Sequence, residues 1–388
     1  MVSFTISSTF STLYTIIYCN GIESISGGYF LEKLKQLVGT MKQHQISNMI
    51  ITDTYSIRYL IGYYTQPGER LLALIATASG DHYLILNNLF PRADETGNYS
   101  VLYYQDGEKI MERIANVLID GITSIDKFWP SHFLLDLMDI KADLQPVNAS
   151  YILDDMRAIK SEDEISIMRE ASKLNDQVME KLMNALRTGK SEAEYAEQLA
   201  GYYKELGHSG FSFEPIVGYG ANGADPHHTT DESLPRVGDT IVLDIGGMYK
   251  GYASDMTRTV FFGEPHEEAV EVYDVVRRAN LAGIAAVKPG VSLSSIDLAA
   301  RKVITDAGYG EYFTHRLGHF IGQEAHEAGD VSQFNDELTK VGQVFSIEPG
   351  VYLPGKFGVR IEDLVVVTED GCEVLNHVTK EPIIIEVN

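Results

Sequence analysis

Two pairs of carboxylates constrain this chain more than any other feature of its sequence. Asp244 ends the apolar run Thr240-Ile241-Val242-Leu243, and Asp255 lies on the next strand-like stretch, Tyr252-Ala253-Ser254-Asp255-Met256-Thr257. A charge at the end of a buried strand is expensive unless something pairs with it. A hairpin turning within Met248–Gly251, with a two- or four-residue loop, predicts the two aspartates directly opposite each other on one face, Cβ atoms ~5 Å apart. The construction recurs near the C-terminus. Glu348, in Phe345-Ser346-Ile347-Glu348-Pro349-Gly350, is predicted to face Glu362, in Gly358-Val359-Arg360-Ile361-Glu362-Asp363, across a three- or five-residue turn centred on Gly355. Carboxylates this close repel strongly unless one is protonated or a cation lies between them. One such coincidence is cheap, and two are much less so.

Between the hairpins lies His315-Arg316-Leu317-Gly318-His319-Phe320-Ile321-Gly322, followed by Glu324-Ala325-His326-Glu327. An imidazole would complete a mixed site of four carboxylates and one nitrogen. Oxygen-rich ligation of this kind suits Mn²⁺, with Co²⁺ and Zn²⁺ as alternatives. Two ions bridged by carboxylates generate a hydroxide nucleophile and polarise a carbonyl oxygen.

The remainder of the sequence frames this site. A chain of 388 residues suggests two domains, and the reading places them at 30–154 and 155–388. Leu31–Met41 has helical spacing and Met49–Ile51 reads as a short buried strand. Ile57–Tyr63 follows, and Leu71–Ala76 and Tyr83–Leu86 read as further strands. Alternating signals of this kind imply an α/β unit. From Met156 the pattern changes. Ser161 with Glu164, and Ser191 with Glu194, are capping boxes that open two helices. Strand-like runs at Thr240–Ile245, Thr257–Phe262, Val344–Ile347 and Val359–Val367 alternate with helices over about Glu267–Val287 and Leu293–Ala307, an α+β arrangement.

The 55 acidic residues against 31 basic ones give a formal net charge of -24, so a phosphate backbone is repelled and nucleic acid is not an expected partner. No charge-free window of ~20 apolar residues is present, so no membrane span is expected. Cys19 and Cys372 form neither a disulfide framework nor a thiolate site, which fits the cytoplasm. Met1–Phe30 has no basic residue and no compact apolar block. It fits a leader, an upstream extension or an extra strand equally well.

Asp244, Asp255, His319, Glu348 and Glu362, in these motifs and this order, resemble the five ligands of the pita-bread metallopeptidases, the group of methionine aminopeptidases, Xaa-Pro aminopeptidases and prolidases. The resemblance covers about Met156 to Val387. Arg58-Tyr59-Leu60-Ile61-Gly62-Tyr63 resembles the creatinase-type N-terminal domain of the prolidase branch, which methionine aminopeptidases lack. The resemblance implies a creatinase-type α/β domain ahead of an α+β pita-bread catalytic domain. It also implies two-metal hydrolysis of the peptide bond before proline. His227 matches the family histidine that contacts substrate, with His228 beside it the weaker match. His326 resembles the histidine near the developing oxyanion, and Glu348 the residue that both ligates metal and shuttles a proton. Arg360 resembles the arginine that braces the ligand carboxylates.

The expected substrates are proline-containing dipeptides or short peptides. A homodimer is expected too, with Tyr64–Arg70 of one subunit bordering the active site of the other. The leading expectation is an Xaa-Pro dipeptidase. The alternatives are an Xaa-Pro aminopeptidase on longer peptides, a metal-free creatinase-like C–N hydrolase and an inactive pita-bread binding protein. Intact ligands argue against the last two. Some prolidases carry an arginine just after the His-Glu motif, where this chain has Asp330, so the group that reads a substrate carboxylate is open among His227, His326 and a residue such as Arg70 contributed by the other subunit of the dimer. His208, His266 and His377 read as ordinary packed or surface imidazoles. Gly218-Tyr219-Gly220-Ala221-Asn222-Gly223 fits a dinucleotide-binding pattern, but Asp225-Pro226 follows at once and Pro235 breaks the next stretch, so no helix can start at the glycines.

Overall fold

The structure is a computed structural model that describes residues 27–94 and 97–387. Cys19 and the segment 1–26 lie outside the described residues. The chain divides into two compact units, the first ending at Arg157 and the second starting at Ala158.

The first unit holds one mixed sheet. Its strands are β1 (Asn48–Ile51), β2 (Ala73–Thr77), β3 (His82–Asn87), β4 (Ser100–Tyr104), β5 (Ile122–Ile125) and β6 (Gln145–Val147), in the order β4-β3-β2-β1-β5-β6. Successive side chains point to opposite faces, so the near-continuous apolar strands feed two cores. Ile51, Leu74 and Leu86 pack with Leu37, Ile57, Leu60 and Ile152 on one side. Ile50, Ile75 and Ile85 pack with Ile114 and Leu137 on the other. Ile57–Ile61 belongs to the helix Thr54–Ile61, which Asp53 caps by accepting from the amides of Tyr55 and Ser56 and which Gly62 ends at φ 74°. Ser56 to Ile61 are all buried there, so the apolar run shows no helical period.

The second unit is α+β. Both capping boxes form reciprocally, at the starts of helices Glu162–Ala185 and Glu192–Glu205. After the short β7 (Gly210–Phe211), these helices cover a sheet containing β8 (Ile216–Tyr219), β9 (Thr240–Ile245) and β12 (Met256–Phe262), through Val178, Leu182, Tyr195 and Leu199, while β10 (Gly247–Tyr249) and β11 (Tyr252–Ala253) form a small sheet with β7. Helices Glu267–Ala286 and Leu293–Asp306 cover a second group of strands, among them β13 (Gly318–Phe320), β14 (Glu327–Val331), β15 (Val344–Ile347), β16 (Gly350–Leu353), β17 (Phe357–Arg360) and β18 (Asp363–Val367).

The register of the first hairpin differs from expectation by two positions. Asp244 pairs with Thr257, and Asp255 lies in the gap before β12. The cause is the turn. Tyr249 pairs with Tyr252, and the two residues between, Lys250 and Gly251, have φ of 46° and 82°. Such a pair of left-handed residues makes the tight turn that matches strand twist. A shift of two preserves the face, so both aspartates still point to the same side. The second hairpin has the expected register. Ile347 pairs with Asp363 and Gly350 with Arg360, which leaves Glu348 opposite Glu362 between two ladder segments. Its three-residue turn has Gly355 at φ 71°.

Pro349 interrupts that ladder because it has no N–H to donate. The helix Glu267–Ala286 fills the break: Asn280 donates its side-chain amide to the carbonyls of Ile347 (3.0 Å) and Ile361 (3.3 Å) and to Asp363 (3.0 Å). Side chains of β12 then stitch the hairpins together. Thr259 exchanges hydrogen bonds with the backbone of Arg360, and the Glu362 amide donates to the Thr257 carbonyl. Arg258, 1% exposed, donates to the carbonyls of Glu362, Thr257 and Val378 and pairs with Asp363 at 2.8 Å. Replacing one partner of a buried pair leaves uncompensated polar groups. Arg258→Met is therefore expected to destabilise the catalytic unit by about 3–5 kcal/mol, read as a lowered midpoint in denaturant titration.

Candidate metal centre

The breaks in the two hairpins open onto one point. His319 Nε2 lies 3.6 Å from Asp255, 3.5 Å from Glu348 and 4.0 Å from Glu362. One ligand atom from each of Asp255, His319 and Glu362 falls within 4.8 Å of the others. Asp244 joins from the neighbouring strand through Arg360, whose Nη2 donates to it at 2.6 Å.

Four of the five side chains, all but Asp255, are each held by a hydrogen bond with a neighbouring group. The Nδ1 of His319 is 3.2 Å from the Phe320 carbonyl, which sets Nδ1 as the donor and leaves Nε2 with its lone pair towards the acids. Ser346 accepts from the His319 amide and donates to Glu348 at 3.2 Å. Thr257 donates to Glu362 at 2.8 Å and accepts from Arg360 Nε at 3.1 Å. The third arm of Arg360 reaches the Tyr352 hydroxyl at 2.9 Å.

The electrostatics are hostile without cations. Burial, then repulsion by neighbouring acids, raises Asp255 and Glu362 well above the usual carboxylate range. Burial pushes Glu348 up to about 7, against the opposing pull of Arg360. The same burial, with His326 beside it, drives His319 down to about 3, so it is a neutral ligand at physiological pH. One oxygen on each of Asp244, Asp255 and Glu362 is buried with no hydrogen-bond partner. Buried carboxylate oxygens without donors, next to a neutral imidazole nitrogen, fit divalent cations.

Sequence comparison points to a metal-dependent peptidase. The profile of the metallopeptidase family M24 matches residues 166–369, and the profile of the creatinase/prolidase N-terminal domain matches residues 33–159. This chain belongs to metallopeptidase family M24. It is 38% identical to a probable dipeptidase PepE of Mycobacterium bovis over 352 residues, 88% of this chain and 93% of that one. Among solved structures it superposes on a prolidase of Thermococcus sibiricus with a TM-score of 0.88 at 34% identity, covering 93% of this chain and 100% of that one. A Xaa-Pro dipeptidase of Bacillus anthracis matches with a TM-score of 0.84 at 30% identity, covering 92% and 99%.

In this M24 peptidase the carboxylates open onto a cavity of about 660 Å³. Its wall includes all seven of the expected site residues Asp244, Asp255, His319, Glu348, Glu362, His227 and His326, together with Arg360. The ring of His326 lies 4.2 Å from that of His319, edge to face. His227 is exposed on the loop after Pro226, whereas His228, also on the cavity wall, is bonded to Glu192 at 2.6 Å. Glu192 also accepts from the amides of Tyr219 and Asp231 and from the Asn222 side chain, so it ties down the loop that carries His227. Glu192, His228 and Asp231 have metal-like proximity, but four donors already occupy the Glu192 oxygens.

The glycines of the dinucleotide-like pattern serve this loop. A Cβ on Gly358 would lie 1.8 Å from the Gly223 carbonyl oxygen, so backbone meets backbone between loop and hairpin. Asp330 does not line the cavity. Asn335 holds it by 2.8 and 3.1 Å bonds to its carbonyl and carboxylate. Arg70 is committed within the first unit to Asp106, through bonds of 2.8 to 3.3 Å. Sequence reasoning missed Thr257, Ser346, Tyr352, Arg316 and Glu192. Thr257 and Ser346 carried a signal, since each stands two residues from an acid, Asp255 and Glu348, in an extended run.

Thr257→Val removes the donor to Glu362 and the acceptor for Arg360 while keeping shape. Metal affinity is expected to fall about 10- to 100-fold, measured by titration calorimetry with native circular dichroism. The metal-free protein should also show a definite pH trend. Glu348 titrates near 4.5 in the unfolded chain and at about 7 when folded, so the folded state holds its proton more tightly. That contribution to stability is complete below the lower value and is lost as pH rises through the upper one. The Tm of chelated protein is expected to fall between pH 5 and 7.5, and divalent ions to raise it most at the alkaline end.

Proposed function

We propose that this chain is a two-metal Xaa-Pro dipeptidase, whose ions are held by Asp244, Asp255, His319, Glu348 and Glu362. The observation that carries the reading is the set of orphaned carboxylate oxygens around a neutral imidazole at the floor of a peptide-sized cavity. Relatives named as dipeptidase, prolidase and Xaa-Pro dipeptidase, similar over nearly the whole chain, support the substrate class. Hard carboxylates outnumber the single nitrogen, which favours Mn²⁺.

When bound, two divalent ions supply Lewis acidity towards a carbonyl and make water a nucleophile near neutral pH. The protein residues supply the proton handling and orientation. Hydrolysis adds water oxygen to the carbonyl carbon and breaks the C–N bond, and the proline nitrogen needs a proton before it can leave. Glu348, on the cavity wall among the other carboxylates and hydrogen-bonded by Ser346, carries that proton in this reading. His326 and His227, on the cavity wall, are placed to donate to the developing oxyanion. Arg360 fixes the position of Asp244 and stays charged at every working pH.

Chelation is expected to abolish activity and Mn²⁺ or Co²⁺ to restore it, and Asp255→Asn to lower turnover by orders of magnitude. A panel of Xaa-Pro and Xaa-Ala dipeptides and Xaa-Pro-Yaa tripeptides, assayed alongside elemental analysis, tests the substrate. Undiminished activity of the metal-free protein would sink the mechanism, and faster cleavage of the tripeptides would make the enzyme an aminopeptidase.

A further inference from the structure

A dipeptidase must distinguish a substrate that ends one residue after the scissile bond from one that continues. The distinguishing group is a carboxylate, and recognising it in a partly desolvated cavity needs a cation with free donors. Among the described residues the cavity wall carries two arginines, Arg360 and Arg316, and no lysine. Arg360 is unavailable, because its guanidinium is bonded to Asp244, Tyr352 and Thr257.

Arg316 is different. Its guanidinium makes no hydrogen bond or ion pair among the described residues, although the centre beside it is crowded with acids. The backbone that presents Arg316 is rigidly set. Arg301, itself paired with buried Asp297, donates to the carbonyl of His315, and Asp297 accepts from the amide of Leu317 at 3.0 Å. The His315 ring is tied to Tyr352 at 2.9 Å. Arg316 is exposed at the cavity wall, its backbone anchored through both neighbours and its own donors unused, so the guanidinium is free to take a ligand. Of the other candidates, Arg70 is paired with Asp106, and His227 and His326 line the cavity but, as imidazoles, lack the two parallel donors of a guanidinium.

We propose that Arg316 binds the C-terminal carboxylate of the dipeptide and so sets the length of substrate that this enzyme accepts. The proposal rests on the dipeptidase reading above. The planar fork of the guanidinium matches a carboxylate in two parallel hydrogen bonds, a geometry that an amide or a continuing peptide bond cannot reproduce.

The test uses the metal-loaded full chain with Ala-Pro and Ala-Pro-NH₂, comparing wild type with Arg316→Ala and Arg316→Lys. The wild type is expected to prefer the free acid. In Arg316→Ala the acid-to-amide ratio of kcat/KM is expected to fall about 10- to 100-fold, chiefly through KM of the acid, and Arg316→Lys should keep part of it. The ratio within each protein is internally controlled, so a change in overall fold or metal content does not imitate the effect. An unchanged ratio in Arg316→Ala overturns the proposal. Loss of proline preference is a separate outcome: if wild type cleaves Ala-Ala as well as Ala-Pro, the proline reading fails, and the same ratio measured with Ala-Ala and Ala-Ala-NH₂ still decides the role of Arg316. A wild type that cleaves neither dipeptide overturns both.

Discussion

Repulsion between buried carboxylates governs the catalytic unit. Asp244, Asp255, Glu348 and Glu362 converge on His319 with one committed guanidinium, Arg360, among them. A fold selected only for stability would not gather them, because each loses hydration on burial and gains a like-charged neighbour. The surrounding residues limit the damage without removing it. Thr257 and Arg360 each satisfy one oxygen of a carboxylate and leave the other bare, on Glu362 and Asp244, while Ser346 donates to Glu348. What remains is an electrostatic debt that divalent cations are suited to settle.

The location of the acids follows from defects in otherwise regular sheets. Strand pairing lapses at Gly246 and before β12 in one hairpin, and at Glu348–Pro349 in the other. At Gly246 a Cβ would come within 2.2 Å of the Ser254 carbonyl oxygen, so only glycine permits that approach. At Pro349 the missing donor does the same work chemically, and Asn280 repays the freed carbonyls from the helix above. Functional residues often sit where a ladder is interrupted, since an interruption re-aims side chains that a continuous strand would stack.

Much of this was legible in the sequence because it depended on short-range geometry. Glu348 and Glu362 could be set opposite each other from the turn at Gly355 alone. Asp244 and Asp255 were given the correct face and the wrong register, because the left-handed residue at Lys250 is one that turn preferences do not single out. The capping boxes at Ser161 and Ser191 were readable for the same local reason. The supporting residues were not. Asn280, Glu192 and Arg316 act on groups that are distant in sequence or through cavities that no spacing rule describes. The helix at Thr54–Ile61 hid its period because nearly every side chain in it is buried.

The distances along the chain have a consequence for folding. Arg360 and Asp244 are 116 residues apart, and Thr257 and Glu362 are 105 apart. Contacts of such separation carry a large loop-closure penalty and form only once much of the intervening chain has condensed. No fragment of the unit can present the complete set of donors, so an ion meets its full coordination only at the end of folding. Cations therefore act on the completed molecule, by slowing its unfolding and raising the folded fraction, and leave the early nucleation of the strands to apolar side chains.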